Sequence, residues 1–391
     1  MASADLITAV HSSGRQIVLA VTGGGGRALS DLLDVPGASR SVLEAIVPYS
    51  DASLAQWLGA APEQACSEST ARAMAMASLV RARRLAPQTE PERLLGVGCS
   101  ASLATNRPKR GEHRIHVGVQ TIHETTAYIL RLQKDRRDRD QEQQLAAALI
   151  VWATAQACGV EAAALYDAIV SGLTDEQIER QSERTLPSRT ELILGMRRCA
   201  VVPAGSIADD LDEAATPRLA AVLAGAFNPP HDGHFHMAEL AEQGLGQPVA
   251  WELSVANVDK PPLDFLGMRR RIEALRARDP QRLIALTHAP TFREKARLFP
   301  GAAFVVGADT IARIADLRYY DGEAARRDAA IEQIAERGCR FLVFGREANE
   351  RFLGLAELDL PPALLALCDE VPRAEFAERI SSTELRSAAE E

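Results

Sequence analysis

A short apolar run, Val222-Leu223-Ala224-Gly225, breaks abruptly into Ala226-Phe227-Asn228-Pro229-Pro230, and a helical pattern sets in at Asp232. Consecutive prolines cannot continue a ladder, and the residues after them suit a helix start, so the stretch predicts strand, turn and helix in immediate succession. A chain that repeats this junction folds as a doubly wound α/β sheet, with ligands taken at the carboxyl ends of the strands. The alternation continues downstream: strands are predicted over 248–255, 282–286, 302–307 and 340–344, and helices over 232–243, 264–278, 292–298, 310–317 and 323–337.

The turn itself collects donors. A helix beginning near Asp232 leaves its first N–H groups pointing at whatever anion lies above them, and Gly225 lets the backbone come close. His231 and His234, three apart, stand on one edge of the first turn, where imidazole N–H groups suit phosphoryl oxygens. Two surface or capping histidines are the plain alternative. Zinc is another, with His236 as a third imidazole, but two positions beyond His234 it faces away on a helix, so no metal site is expected.

These residues, Gly225-Ala226-Phe227-Asn228-Pro229-Pro230-His231-Asp232-Gly233-His234, resemble the GxFxPxHxGH signature of the nucleotidyltransferase superfamily, and Ile380-Ser381-Ser382-Thr383-Glu384-Leu385-Arg386 resembles its ISSTxxR signature. The resemblance implies that His231, His234 and Arg386 are catalytic, and that Gly225, Ala226, Phe227, Asn228, Gly233, Gly307, Asp309, Ser381, Ser382 and Thr383 bind the nucleotide. Lys260, in the stretch after the second strand, and Tyr319 are the expected contacts of the acceptor. Pyridine-mononucleotide adenylyltransferases usually carry a tryptophan eight residues after the aspartate that corresponds to Asp309; here Leu317 stands there, with Tyr319 and Tyr320 beyond.

The chain has 391 residues, and the roughly 220 ahead of this domain leave room for a second core. No run of eighteen apolar residues occurs, and the first fifteen residues lack a basic region followed by an apolar one, so a cytoplasmic protein without membrane association is expected. A net charge of −9 argues against nucleic acid as a partner. The six cysteines are scattered without a CxxC, against structural zinc or a disulfide framework.

Gln16–Val21 predicts a buried strand, followed by the turn Thr22-Gly23-Gly24-Gly25-Gly26 and a helix from about Ala28. The glycine run lacks the lysine of a P-loop, so a plain tight turn is as good a reading. Further strands are predicted over 114–121 and 127–132 and helices over 141–157 and 161–170. Thr22-Gly23-Gly24, Asp34-Val35-Pro36-Gly37, Pro48-Tyr49-Ser50 and Ser67-Glu68-Ser69-Thr70-Ala71-Arg72 resemble, in order and spacing, the C-terminal domain of CinA, a family of nicotinamide mononucleotide deamidases. The family's nucleophilic serine corresponds to Ala20 and its lysine to Leu54, leaving Tyr49 as a core or pocket residue of a vestigial site. Cys99 and Ser100, where the family has a glycine-shaped loop, are nucleophiles by type but have no evident basic partner.

The expected organisation is therefore a CinA-like α/β domain over 5–165, catalytically silent, a connector over 166–216, and a Rossmann-like nucleotidyltransferase domain over 217–391. The resemblance implies adenylyl transfer from ATP to nicotinamide or nicotinate mononucleotide, with magnesium carried by the ATP. Phosphopantetheine or a cytidylyl acceptor is the alternative among enzymes, and a non-catalytic nucleotide-binding or scaffolding protein the alternative outside them. Pairing of subunits through the N-terminal domain is a further expectation.

Overall fold

The computed structural model describes residues 2–106, 110–258, 260–348 and 351–376. The chain forms two compact units: residues 1–190 with 259–268, and residues 191–258 with 269–391. Both are α/β. The divide falls inside the stretch expected as a connector, and the 259–268 segment belongs to the first unit although sequence order assigns it to the second domain.

The first unit is built on β1 (Gln16–Thr22), β2 (Val42–Ile46), β3 (Leu94–Ser102), β4 (His113–Gln120), β5 (Glu124–Leu132) and β6 (Ile178–Arg184), in the spatial order β2-β1-β3-β4-β5-β6. β2, β1 and β3 run parallel, and β3, β4, β5 and β6 pair antiparallel in that order, with two helices between β5 and β6. Alternation along β1 sends Ile17, Leu19 and Val21 to one face, where the helix Arg139–Ala157 packs, and Ala20 to the other.

That second face takes the helix Glu68–Leu85. Ser67 caps it by accepting from the Thr70 amide, Glu68 sits in its first turn and Arg83 and Arg84 in its last, as the helix dipole favours. Its buried Ala71, Met74, Ala75, Ser78, Leu79 and Ala82 repeat every three to four residues. The sheet meets them with glycines. A Cβ at Gly98 would lie 2.4 Å from the Ala71 carbonyl oxygen, and one at Gly118 would lie 2.5 Å from it, so the helix backbone sits directly on the strands.

On the same helix Arg72, 5% exposed, is held by Glu68, with Nε to Oε1 at 2.8 Å, and by an ion pair to Asp264, 6% exposed, in the 259–268 segment. The Phe265 amide donates to Thr125 Oγ1 at 3.0 Å. These bonds fix the segment within the first unit.

The second unit has β7 (Cys199–Val202), β8 (Ala221–Gly225), β9 (Val249–Ser254), β10 (Ile284–Thr287), β11 (Ala303–Gly307) and β12 (Arg340–Phe344), then the hairpin β13 (Arg346–Ala348) and β14 (Arg351–Leu353), and β15 (Cys368–Val371). The main sheet runs β15-β12-β11-β8-β9-β10-β7, parallel except for β7, which is antiparallel to β10. From β8 the chain builds outward through β9 and β10, then returns to lay β11 on the other side of β8. The two directions of winding diverge between β8 and β11. No helix among the described residues is long and apolar enough to cross a membrane.

Candidate functional site

In an open parallel sheet a crevice opens above the strand ends where winding reverses, here above the carboxyl ends of β8 and β11. Gly225 ends β8, and the chain turns sharply because Phe227 takes a left-handed φ of 47° and drives its ring into the core. The ring packs edge-on against Trp251 of β9, with centroids 5.1 Å apart, and against His234 at 5.2 Å. A Cβ on Gly225 would lie 2.7 Å from the same ring, so glycine is what permits the fold-back. The helix then begins at Asp232, with His231 as its extended N-cap and Gly233 buried in its first turn.

The two imidazoles are stacked, with centroids 3.8 Å apart and planes at 34°. The His231 amide donates to His234 Nδ1 at 3.2 Å. Because an amide can only donate, Nδ1 accepts and the proton of the neutral ring sits on Nε2. Burial lowers the His234 pKa to about 3, with the neighbouring His231 adding to the effect, so the ring is neutral at physiological pH. It is a fixed N–H donor rather than a movable charge. Charge at this turn comes instead from arginines: Arg271 donates to the Ala226 carbonyl oxygen at 2.9 Å, and Arg278 pairs with Asp232 while lying 4.3 Å from the centre of the Phe235 ring.

Across the crevice, Gly307 caps the helix Ala308–Ala315, and a side chain at Gly307 would meet nothing within 4 Å. Asp309, in the first turn of that helix, pairs with Arg346 just beyond β12, Nη1 to Oδ2 at 2.9 Å, both half-exposed. The turn after β8, Gly307, Asp309 and Arg346 thus stand at the ends of the adjacent strands β8, β11 and β12.

Other sequence-predicted residues fall elsewhere. Lys260 is exposed and lies in the 259–268 segment, in a different compact unit from the histidines. Tyr319 is in the short turn Leu317–Tyr320, where the Arg318 guanidinium lies 5.8 Å from its ring centre. His236 turns to Phe376, with ring centroids 5.4 Å apart. Ser381, Ser382, Thr383 and Arg386 lie outside the described residues. Sequence reasoning missed Arg271; its place in the run Arg269-Arg270-Arg271 within the helix predicted over 264–278 was the available signal.

In the first unit Ala20 and Leu54 are brought together. They share a small apolar cluster with Leu58 and Met74. Tyr49, expected in the core or a pocket, is instead 65% exposed, because it stands in the open stretch just before the helix Asp51–Leu58. Cys99 and Ser100, expected in a loop, lie within β3, which continues to Ser102 with β4 as its antiparallel partner. Burial pushes the Cys99 thiol up, away from thiolate formation, and Ser100 Oγ is committed to the Ser67 carbonyl oxygen at 3.0 Å.

Comparison with known proteins matches residues 222–388 to the family model described as Cytidylyltransferase-like. The C-terminal part of the chain thus carries a nucleotidyltransferase-type domain. Similar solved structures include the competence/damage inducible protein CihA from Agrobacterium tumefaciens, at 17% identity over 43% of this chain and 94% of that one, TM-score 0.31. A CinA superfamily protein from Escherichia coli is similar at 13% identity over 39% of this chain and 86% of that one, TM-score 0.32. A competence or damage-inducible protein from Enterobacter asburiae is similar at 17% identity, covering 43% and 96%, TM-score 0.30. No curated protein matches the chain.

Proposed function

We propose that the second unit transfers an adenylyl group from ATP to a small phosphorylated acceptor, with nicotinamide or nicotinate mononucleotide as the acceptor. The observation that carries the reading is the stacked His231–His234 pair at a helix start, above the point where the sheet reverses its winding. An acceptor phosphate oxygen attacks the α-phosphorus, a P–O bond forms on one side as another breaks on the other, and pyrophosphate leaves with the electron pair. A phosphate monoester is already anionic near neutral pH, so no strong base is required. Catalysis then rests on donors that are in place before charge moves.

His234 fits that role through its Nε2–H, oriented by the bond at Nδ1 and kept neutral by burial. The helix that begins at Asp232 adds its dipole. Ser382, Thr383 and Arg386 are proposed, from their motif, to hold the departing phosphates. Asp232 and Asp309 are each engaged by an arginine, and no group of three or more His, Cys, Asp or Glu among the described residues is arranged for a metal. Magnesium is proposed to arrive on the triphosphate, neutralising its charge.

The acceptor assignment leans on the CinA-like sequence pattern of the first unit, which points to the same class of pyridine nucleotides. The test is pyrophosphate release by the full chain with ATP or CTP and each of nicotinamide mononucleotide, nicotinate mononucleotide and phosphopantetheine. Turnover with ATP and a pyridine mononucleotide is expected. Activity only with phosphopantetheine or CTP would replace the acceptor or nucleotide, and inactivity with every pair would sink the transferase reading.

A further inference from the structure

The first unit contains a cavity of about 580 Å³ that none of this chemistry uses. It lies at the opposite end of β1 from Ala20 and the glycine turn: Arg15, on its wall, immediately precedes β1, which spans about 20 Å at ~3.3 Å per residue. Its floor comes from β5, where Glu124, Thr126 and Tyr128 share one face by the two-residue period of a strand. The antiparallel register sets Arg180 of β6 opposite Tyr128 and Arg184 opposite Glu124. Trp152, from the helix Arg139–Ala157, closes the other side, edge-on to Tyr128 with centroids 5.0 Å apart.

The charges around this aromatic corner are unevenly satisfied. Glu124 Oε1 accepts from Arg180 Nη2 at 3.3 Å, which orients Arg180. The Arg15 guanidinium donates to the backbone carbonyl of Glu92, a bond that holds it in place without neutralising it. Arg184 has no ion-pair partner among the described residues. Three guanidiniums therefore face two carboxylates, Glu92 and Glu124, beside two aromatic rings. Guanidinium forks bind phosphate oxygens bidentately, and aromatic side chains take flat rings by stacking or edge contact. A cavity of this volume is of the size that encloses a small metabolite.

We propose that this cavity binds a nucleoside monophosphate, its base against Trp152 and Tyr128 and its phosphate on Arg180 and Arg184. The binding is independent of nucleotidyl transfer by the second unit.

Calorimetric titration of the full chain with AMP tests it, alongside adenosine, which has the ring without the phosphate, and inorganic phosphate, which has the anion without the ring. AMP is expected to bind at least tenfold more tightly than either. The Arg180→Ala/Arg184→Ala double variant, altered only at exposed side chains of an edge strand, is expected to lose at least tenfold in AMP affinity while pyrophosphate release by the second unit is unchanged. AMP affinity unaltered in that variant would assign the binding to another place and overturn the proposal. So would the absence of AMP binding up to about 5 mM. Equal affinity for adenosine would remove the phosphate from the assignment, and equal affinity for phosphate would remove the base; either result overturns a nucleoside monophosphate as the ligand.

Discussion

His234 illustrates how a single side chain can be committed by its neighbours. Its Nδ1 takes the His231 amide, its ring lies against His231 and Phe227, and only Nε2–H is left to meet a ligand. Replacing it by alanine removes a preorganised donor, so kcat for pyrophosphate release should fall on the order of a hundred- to a thousandfold. The Tm should move little by comparison, and a variant with unchanged kcat would remove His234 from catalysis. The same burial has a consequence for stability. His234 is lowered to about 3 and His116 of β4, by burial with Arg114 adding to it, to about 4, whereas an unfolded histidine titrates near 6.5. The unfolded chain therefore takes up these protons first: the stability they confer is complete above about pH 6.5 and is lost as pH falls toward their folded values. Denaturation midpoints at pH 7.5 and pH 5.0 should differ in the native chain, and the drop should shrink in His234→Gln and in His116→Gln. An identical drop in both variants would show that neither ring carries the effect.

Among the elements, the helix Glu68–Leu85 and the strands beneath it give the sharpest case of shape imposed by small residues. The Cβ that Gly98 lacks would press on the Ala71 carbonyl and on the Ala75 amide nitrogen at 2.5 Å, both helix backbone, which cannot rotate away. Gly98→Ala should therefore cost about 1–3 kcal/mol or more as the helix lifts from the sheet, read as a lower denaturation midpoint of the first unit. A cost below about 0.5 kcal/mol would mean that the helix slides freely. The buried ionic cluster beside it is a second case. Asp264→Ala would leave Arg72 buried with only Glu68, and breaking such a pair typically costs about 3–5 kcal/mol. Sequence periodicity found the elements whose patterns are strong. Helix 292–298 and strand 340–344 fall where predicted, and β8 with the helix after it is bounded by glycine and proline signals that have no other good reading. β6 was not legible because Ile178–Arg184 is polar on both faces, as an edge strand with a solvent side can be, and β15 is only four residues long. The segment 259–268 could not be assigned to the first unit from sequence, because its anchor pairs Asp264 with Arg72, 192 positions earlier. The histidines of the turn were legible for the opposite reason, since the motif that holds them is local.

At the scale of the molecule, the packing around Ala20 motivates one further prediction, that the first unit does not hydrolyse the amide of nicotinamide mononucleotide. An amide carbon can be attacked only by an oxygen, sulfur or activated water held beside it. Where the sequence resemblance expects the deamidase serine, Ala20 offers a methyl group, and where it expects the lysine stands Leu54, in the same apolar cluster as Leu58 and Met74. The two positions are coupled physically. Leu54 is 2% exposed among apolar neighbours, so an ammonium introduced there would lose its hydration, and a hydroxyl introduced at position 20 would have no base in that cluster. The Cys99 thiol is buried and pushed up by desolvation, and it points from β3 into the core packed by the helix Arg139–Ala157 rather than toward Ala20. The full chain should accordingly release ammonia from nicotinamide mononucleotide no faster than the enzyme-free control, and Ala20→Ser and Cys99→Ser should each leave that result unchanged. Leu54→Lys should lower the denaturation midpoint of the first unit, because the cluster must open to hydrate the new charge. Ammonia production by the native chain, abolished by Cys99→Ser, would show that the unit hydrolyses the amide through a thiol after all. Ammonia production acquired with Ala20→Ser alone would show that a base stands within reach of position 20.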